Sequence, residues 1–153
     1  MCDRAVVNID DEWGARLATE VRGAVTVGAS GDVQVRGLHG NVADGITFTW
    51  HSAARDVDVH VPVIGDFNAA NAALAIAMAA EADIDASRAA LSLRDFHAVP
   101  GRLERIPVAR GAAFVDYAHT PDAVERVLRA LAASGAQRVI TVLGCGGDRD
   151  PGK

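Results

Sequence analysis

The chain has 153 residues, half of them apolar and 23% charged, with a formal net charge of −5. That composition supports a packed core and excludes a disordered chain, while the longest apolar run, residues 69–80, is mostly alanine and is interrupted by Asn71, unlike the roughly 20 apolar residues of a membrane-spanning helix. Fourteen of the fifteen basic residues are arginine and form no basic stripe, so neither nucleic acid nor membrane insertion is expected.

No apolar stretch of a signal peptide follows Met1-Cys2-Asp3-Arg4, and the expected compartment is the cytoplasm. Residues 5–9 read as a strand that ends in the acidic turn Asp10-Asp11-Glu12, expected to be solvated, and residues 12–21 as a short helix. A β-like run follows at 24–27. Residues 32–36, 46–50 and 56–61 alternate polar and apolar side chains, the mark of half-buried strands, read as antiparallel with turns at Gly31, Gly40 and Gly45. The period then changes. Residues 68–82 are rich in Ala, Leu and Met and read as a helix with Asp66 as its N-cap. A second helix is expected over 85–94, capped by Asp85, and Pro100-Gly101 is the natural boundary. Beyond it, residues 105–108 and 112–115 read as short strands and 120–133 as a helix opened by Thr120-Pro121. Residues 137–143 form an apolar, β-branched run of the buried parallel kind, so that 112–143 spells a β-α-β unit. The run ends in the glycine-rich loop 144–150. Cys2 and Cys145 lack CxxC spacing, so neither a zinc site nor a redox pair is expected. The only lysine is Lys153, so no Walker-type phosphate loop lies inside the chain.

Several residues are chemically suggestive. Asn68 and Asn71 share a face at the start of the alanine-rich helix. They serve either as a cap and a satisfied core amide, or as readers of a base edge, since an amide offers donor and acceptor in one plane. Arg102, after a Pro-Gly turn, is a solvated surface side chain or a phosphate-binding fork. Asp116 and His119 follow the carboxyl end of an expected strand, the edge where open α/β sheets bind ligands; Asp116 suits a ribose hydroxyl, or equally the nearby backbone amides of a turn. In the loop 144–150, three glycines allow close backbone approach to a ligand, and Arg149 offers a fork for a carboxylate or phosphate. His39, His51, His60 and His97 are scattered and read as surface or edge residues.

Five stretches then occur in order: AVVNIDDEWG at 5–14, GDFNAAN at 65–71, PGRLE at 100–104, VDYAHTPD at 115–122 and GCGGDRD at 144–150. Together they resemble the Mur ligase family over essentially the whole chain. The DYAHTPD and GCGGDRD pair favours the branch that extends a UDP-linked muramoyl dipeptide. Folylpolyglutamate and cyanophycin synthetases carry similar DYAHNP-like signatures without that glycine loop.

The resemblance implies an α/β chain in two parts. Residues 1–99 correspond to the end of a central P-loop-type ATPase domain, with antiparallel strands and a helical pair. Residues 100–153 correspond to the start of a Rossmann-like C-terminal domain. It implies ATP and Mg2+ as cofactors. It also implies a reaction in which a carboxylate of UDP-N-acetylmuramoyl-L-alanyl-D-glutamate becomes an acyl phosphate and is attacked by meso-diaminopimelate or L-lysine. A monomeric full-length enzyme is expected. By motif, Asn71 with Asn68 beside it, Arg102, Asp116 and His119 correspond to nucleotide-binding residues, and Arg149 to the arginine that grips the incoming amino acid. The family's phosphate loop, magnesium ligands, carbamylated lysine and diaminopimelate-selecting motif have no counterpart between Met1 and Lys153. The chain thus reads as an internal segment with no catalytic residue and no turnover of its own, exposing apolar surface. A folylpolyglutamate-type amide ligase and a non-catalytic nucleotide-binding remnant are the competing readings.

Overall fold

The computed structural model describes residues 4–144. The first strand, β1 (Val6–Asn8), leads into α1 (Glu12–Glu20). The acidic stretch between them is structural, not simply solvated. Asp11 caps α1 by accepting from the Gly14 N–H at 2.8 Å, and Asp10 accepts from the distant Ala29 N–H at 2.8 Å. A Cβ at Gly14 would stand 1.7 Å from the Asn8 carbonyl oxygen, so only glycine lets α1 start this close to β1.

Four more strands complete a mixed sheet in the order β1-β2-β3-β4-β5: β2 (Val25–Val27), β3 (Val33–Asn41), β4 (Gly45–Ser52) and β5 (Asp56–Val61). β1, β2 and β3 run parallel, whereas β3-β4 and β4-β5 pair antiparallel, as the alternation in 32–61 predicts. Ile46, Phe48 and Trp50 point to the core with Val57, Val59 and Val61, all buried. Thr47, Thr49 and His51 lie opposite His60, Asp58 and Asp56 on the other face.

Over the inner face lies α2 (Asp66–Glu81), which buries Ala69, Ala72, Ala73, Ile76 and Ala77. Its alanines let the helix approach closely, and the Trp50 indole N–H donates to the Ala73 carbonyl at 3.2 Å. Ile76 is among the most buried large side chains, a burial that contributes about 1.5–3 kcal/mol. α2 begins two residues earlier than expected. Gly65 is its N-cap and Asp66 its first residue, with the Asp66 carboxylate taking the Phe67 amide at 2.8 Å. α3 (Ala86–Ser92) is capped by Asp85, as expected, and gives way at Leu93–Asp95 to a single 3-10 turn.

Past the Pro100-Gly101 turn, β6 (Glu104–Ile106) and β7 (Ala113–Val115) form an antiparallel pair, and α4 (Pro121–Ala133) follows with Thr120 as its N-cap. Arg105 donates to the Ala43 carbonyl at 3.0 Å, tying β6 to the β3–β4 turn. Ala130 and Ser134 of the α4 end share a cavity of about 260 Å³ with Leu38, Ile46 and Ile64. The β-α-β unit expected over 112–143 does not form among the described residues, where β7 pairs antiparallel with β6 alone. Residues 137–144 carry no strand, and Ile140 and Val142 are 74% and 95% exposed. A strand is held by a neighbour's hydrogen bonds, and no described strand pairs with this run. No helix among the described residues is long and apolar enough to cross a membrane.

Candidate functional site: the 99–103 turn and the start of α2

Two groups of expected site residues emerge. The first is built where the Pro100-Gly101 turn meets the end of β7. The turn closes through the Arg102 N–H on the Val99 carbonyl at 2.9 Å, and the Gly101 N–H donates to Glu104 Oε2 at 2.8 Å. Gly101 has φ +70°, and so, unusually for its type, does Leu103 turn left-handed, with φ +44° and only 2% exposure. A non-glycine residue there carries strain of about 1–3 kcal/mol and persists only where its surroundings fix it.

Asp116 is what fixes it. Asp116 Oδ2 accepts from the Leu103 N–H at 2.8 Å, and Oδ1 accepts from the Ala118 N–H at 2.7 Å. The Tyr117 N–H donates to the Gly101 carbonyl at 2.8 Å. His119 Nδ1 lies 3.0 Å from the Tyr117 carbonyl oxygen, and the two rings stand 5.3 Å apart at 58°. The Arg102 guanidinium lies over the Tyr117 ring, 5.7 Å from its centroid. Arg102, Asp116 and His119 are therefore one cluster. Arg102 and His119 are exposed, and Asp116 is half-buried with one backbone amide on each oxygen.

The second group opens α2. Asn68 donates its amide to the Ile64 carbonyl at 2.8 Å, four residues back, which anchors the first turn of the helix. Asn71 is exposed, and its side chain makes no hydrogen bond among the described residues. It borders a cleft of about 650 Å³ whose walls are Asn8, Asp10 and Phe67 on one side and Arg126 and Arg129 of α4 on the other. Both arginines pair within their own helix, Arg126 Nε to Asp122 at 3.0 Å and Arg129 to Glu125.

Among the described residues no hydrogen bond or ion pair joins the two groups. Arg149 and the rest of the 145–150 loop lie outside the described residues. Tyr117, Leu103 and Glu104 lie inside the PGRLE and VDYAHTPD stretches but carry no role expected from the sequence. Only Tyr117 carried a signal, an aromatic residue between a carboxylate and an imidazole. The histidines behave as surface residues: His39 bonds Thr47, His51 bonds Asp56 and His60 bonds the Asp44 carbonyl. Among the described residues no group of three or more His, Cys, Asp or Glu side chains is arranged to hold a metal ion.

Comparison with known proteins agrees with this architecture. Residues 2–79 match the Mur ligase middle domain, and residues 101–153 match the Mur ligase glutamate ligase domain. The chain is 44% identical, over 97% of its length, to a protein of Geobacter metallireducens named UDP-N-acetylmuramoyl-L-alanyl-D-glutamate–2,6-diaminopimelate ligase. A protein of the same name from Thermosynechococcus vestitus is 40% identical over 98% of the chain. A solved structure of a ligase of that name superposes with a TM-score of 0.73 at 31% identity over 96% of the chain. The chain spans 30%, 31% and 32% of those three proteins, respectively. With two family domains matched in tandem and the relatives aligned from end to end of the chain, this protein belongs to the Mur ligase family.

Proposed function

We propose that this chain is the nucleotide-binding hinge region of a ligase that joins a diamino acid to UDP-N-acetylmuramoyl-L-alanyl-D-glutamate. On this reading residues 1–99 are the end of the central domain and residues 100–153 the start of the C-terminal domain. The observation that carries it is the gathering of Arg102, Asp116 and His119 around one rigid turn, thirteen residues bridged by a single carboxylate. Three residue types suited to an adenine nucleotide share that turn.

The roles follow from the chemistry of each group. Asn71 presents a free amide, donor and acceptor in one plane, which matches the edge of adenine. Asn68 stands behind it and fixes the helix start. Arg102 offers a guanidinium fork to a phosphate. Asp116 keeps lone pairs on both oxygens after taking its two amides, enough to accept from a ribose hydroxyl. His119 lies beside them, and Arg149 would take the carboxylate of the incoming diaminopimelate or lysine. ATP, when bound, supplies the phosphoryl group that activates the acceptor's carboxylate. Magnesium would belong to the same reaction, with its protein ligands expected outside these residues. UDP-muramoyl dipeptide and a diamino acid as substrates, a monomeric full-length enzyme and a cytoplasmic location complete the reading.

Titration of the chain with ATP and GTP tests it. Saturable binding that favours ATP is expected. Asn71→Ala should erase the preference, since an Asn–adenine pair discriminates bases by about 1–3 kcal/mol. Arg102→Ala should weaken both nucleotides. Absence of saturable binding, or binding that neither substitution changes, would overturn the assignment.

A further inference from the structure

We propose that Tyr117 is a positioning residue for the nucleotide grip, acting on Arg102 through its ring and on His119 through its carbonyl. The inference rests on the nucleotide reading above. Tyr117 is 68% exposed, and its phenol makes no hydrogen bond among the described residues. Neither core packing nor a polar partner accounts for an aromatic side chain at this point.

Its surroundings do. The backbone is immobilised by the Tyr117 N–H on the Gly101 carbonyl at 2.8 Å and by the Asp116 carboxylate, which takes the Leu103 and Ala118 amides on either side. The ring thus stands on a fixed base, with the Arg102 guanidinium 5.7 Å from its centroid and the His119 ring 5.3 Å away. A cation over an aromatic face is attracted to the ring quadrupole. An arginine on a surface turn has many rotamers, and a ring that holds the guanidinium lowers the entropy lost when a ligand is bound.

The carbonyl acts on the other neighbour. A carbonyl oxygen only accepts, so His119 Nδ1, 3.0 Å away, carries the proton. In the neutral ring this leaves the Nε2 lone pair outward as an acceptor. Tyr117 therefore sets a donor, Arg102, and an acceptor, His119, around one ring. That polarity suits a phosphate on one side and a sugar hydroxyl or ring amine on the other.

The test uses the full chain with Tyr117→Phe, Tyr117→Leu, Arg102→Ala and the Tyr117→Leu/Arg102→Ala pair, each checked for an unchanged thermal midpoint. Phe keeps the ring and should retain both the ring-current shift of the Arg102 side-chain protons and ATP affinity within about twofold. Leu should abolish the shift and weaken ATP by about two- to fivefold, the range of an exposed cation–π contact. In the double variant the Leu substitution should add nothing to Arg102→Ala, because the ring acts through the guanidinium. Nitrogen-15 spectra should show His119 with its proton on Nδ1.

Additive losses in the cycle, or Leu binding ATP as the parent does while Arg102→Ala weakens it, would overturn the ring's role and leave the nucleotide reading standing. A proton on Nε2 would overturn the carbonyl's role. Unchanged ATP affinity in every variant, Arg102→Ala included, would overturn this inference, and absence of saturable ATP binding by the parent chain would overturn the nucleotide reading with it.

Discussion

Asp116 reaches across thirteen residues to take the backbone amide of Leu103 at 2.8 Å, and this bond holds a buried leucine at φ +44°. The same carboxylate takes the Ala118 amide at 2.7 Å, so it locks the turn before β6 to the segment after β7. The residue expected to touch a ribose is thus also the keystone of the turn that presents Arg102.

Asp116→Ala should destabilise the chain by about 1–3 kcal/mol, the cost of leaving a shielded amide without its acceptor. Asp116→Asn should recover only part of this, because its NH2 group would face one of the two N–H donors. Exchange of the Leu103 and Ala118 amides, followed with the thermal midpoint, checks it. Unaltered protection of both amides in Asp116→Ala would show that the carboxylate does not hold the turn.

The acid limb of stability provides a second prediction. The Thr26 N–H at 2.9 Å, with the Thr26 hydroxyl at 2.7 Å, holds the Asp32 carboxyl below its ordinary value of 3.8 against a small opposing effect of burial. Arg55, at 2.6 Å, and the Arg88 amide do the same for Asp85 from the same starting value of 3.8, again against desolvation. Both groups are stabilised as carboxylates. Their contribution is therefore present above about pH 3.8 and is lost as the pH falls through the lowered folded values. Against the parent, Asp32→Asn and Asp85→Asn should melt earlier at neutral pH and converge with it in acid. Melting curves from neutral pH into acid decide the matter; a deficit that stays constant with pH would mean that ionisation plays no part.

How much of this was legible in the sequence depended on whether the signal was local. The alternation in 46–50 and 56–61 showed two strands and their inward faces, because a period of two maps directly onto a half-buried sheet. Asp85, Thr120 and Pro121 announced helix starts by their own chemistry. The parallel pairing of β1 and β2 was not legible, since three-residue strands have no period to read. Nor was the strained Leu103, whose conformation is imposed by a carboxylate thirteen residues away. Within the site, residue types pointed to Asn71, Arg102, Asp116 and His119 one by one. Tyr117 acquires meaning only when the fold sets its ring beside both Arg102 and His119. The apolar run 137–143 reads as a buried strand from composition alone, but a strand requires a partner that the described residues do not supply.

That run supports a third prediction. Ile140 and Val142 are 74% and 95% exposed, and with Phe114, Ala113 and Leu131 they border a cavity of about 880 Å³. Contiguous apolar surface of this kind favours association. The chain should therefore bind a hydrophobic dye and self-associate as its concentration rises. Ile140→Lys with Val142→Glu should reduce both effects without moving the thermal midpoint, because neither side chain belongs to the buried core. Sedimentation velocity over a concentration series, paired with dye fluorescence, separates the outcomes. A parent chain that sediments as a monomer at every concentration and takes up no dye would show that this surface is already satisfied within the fold.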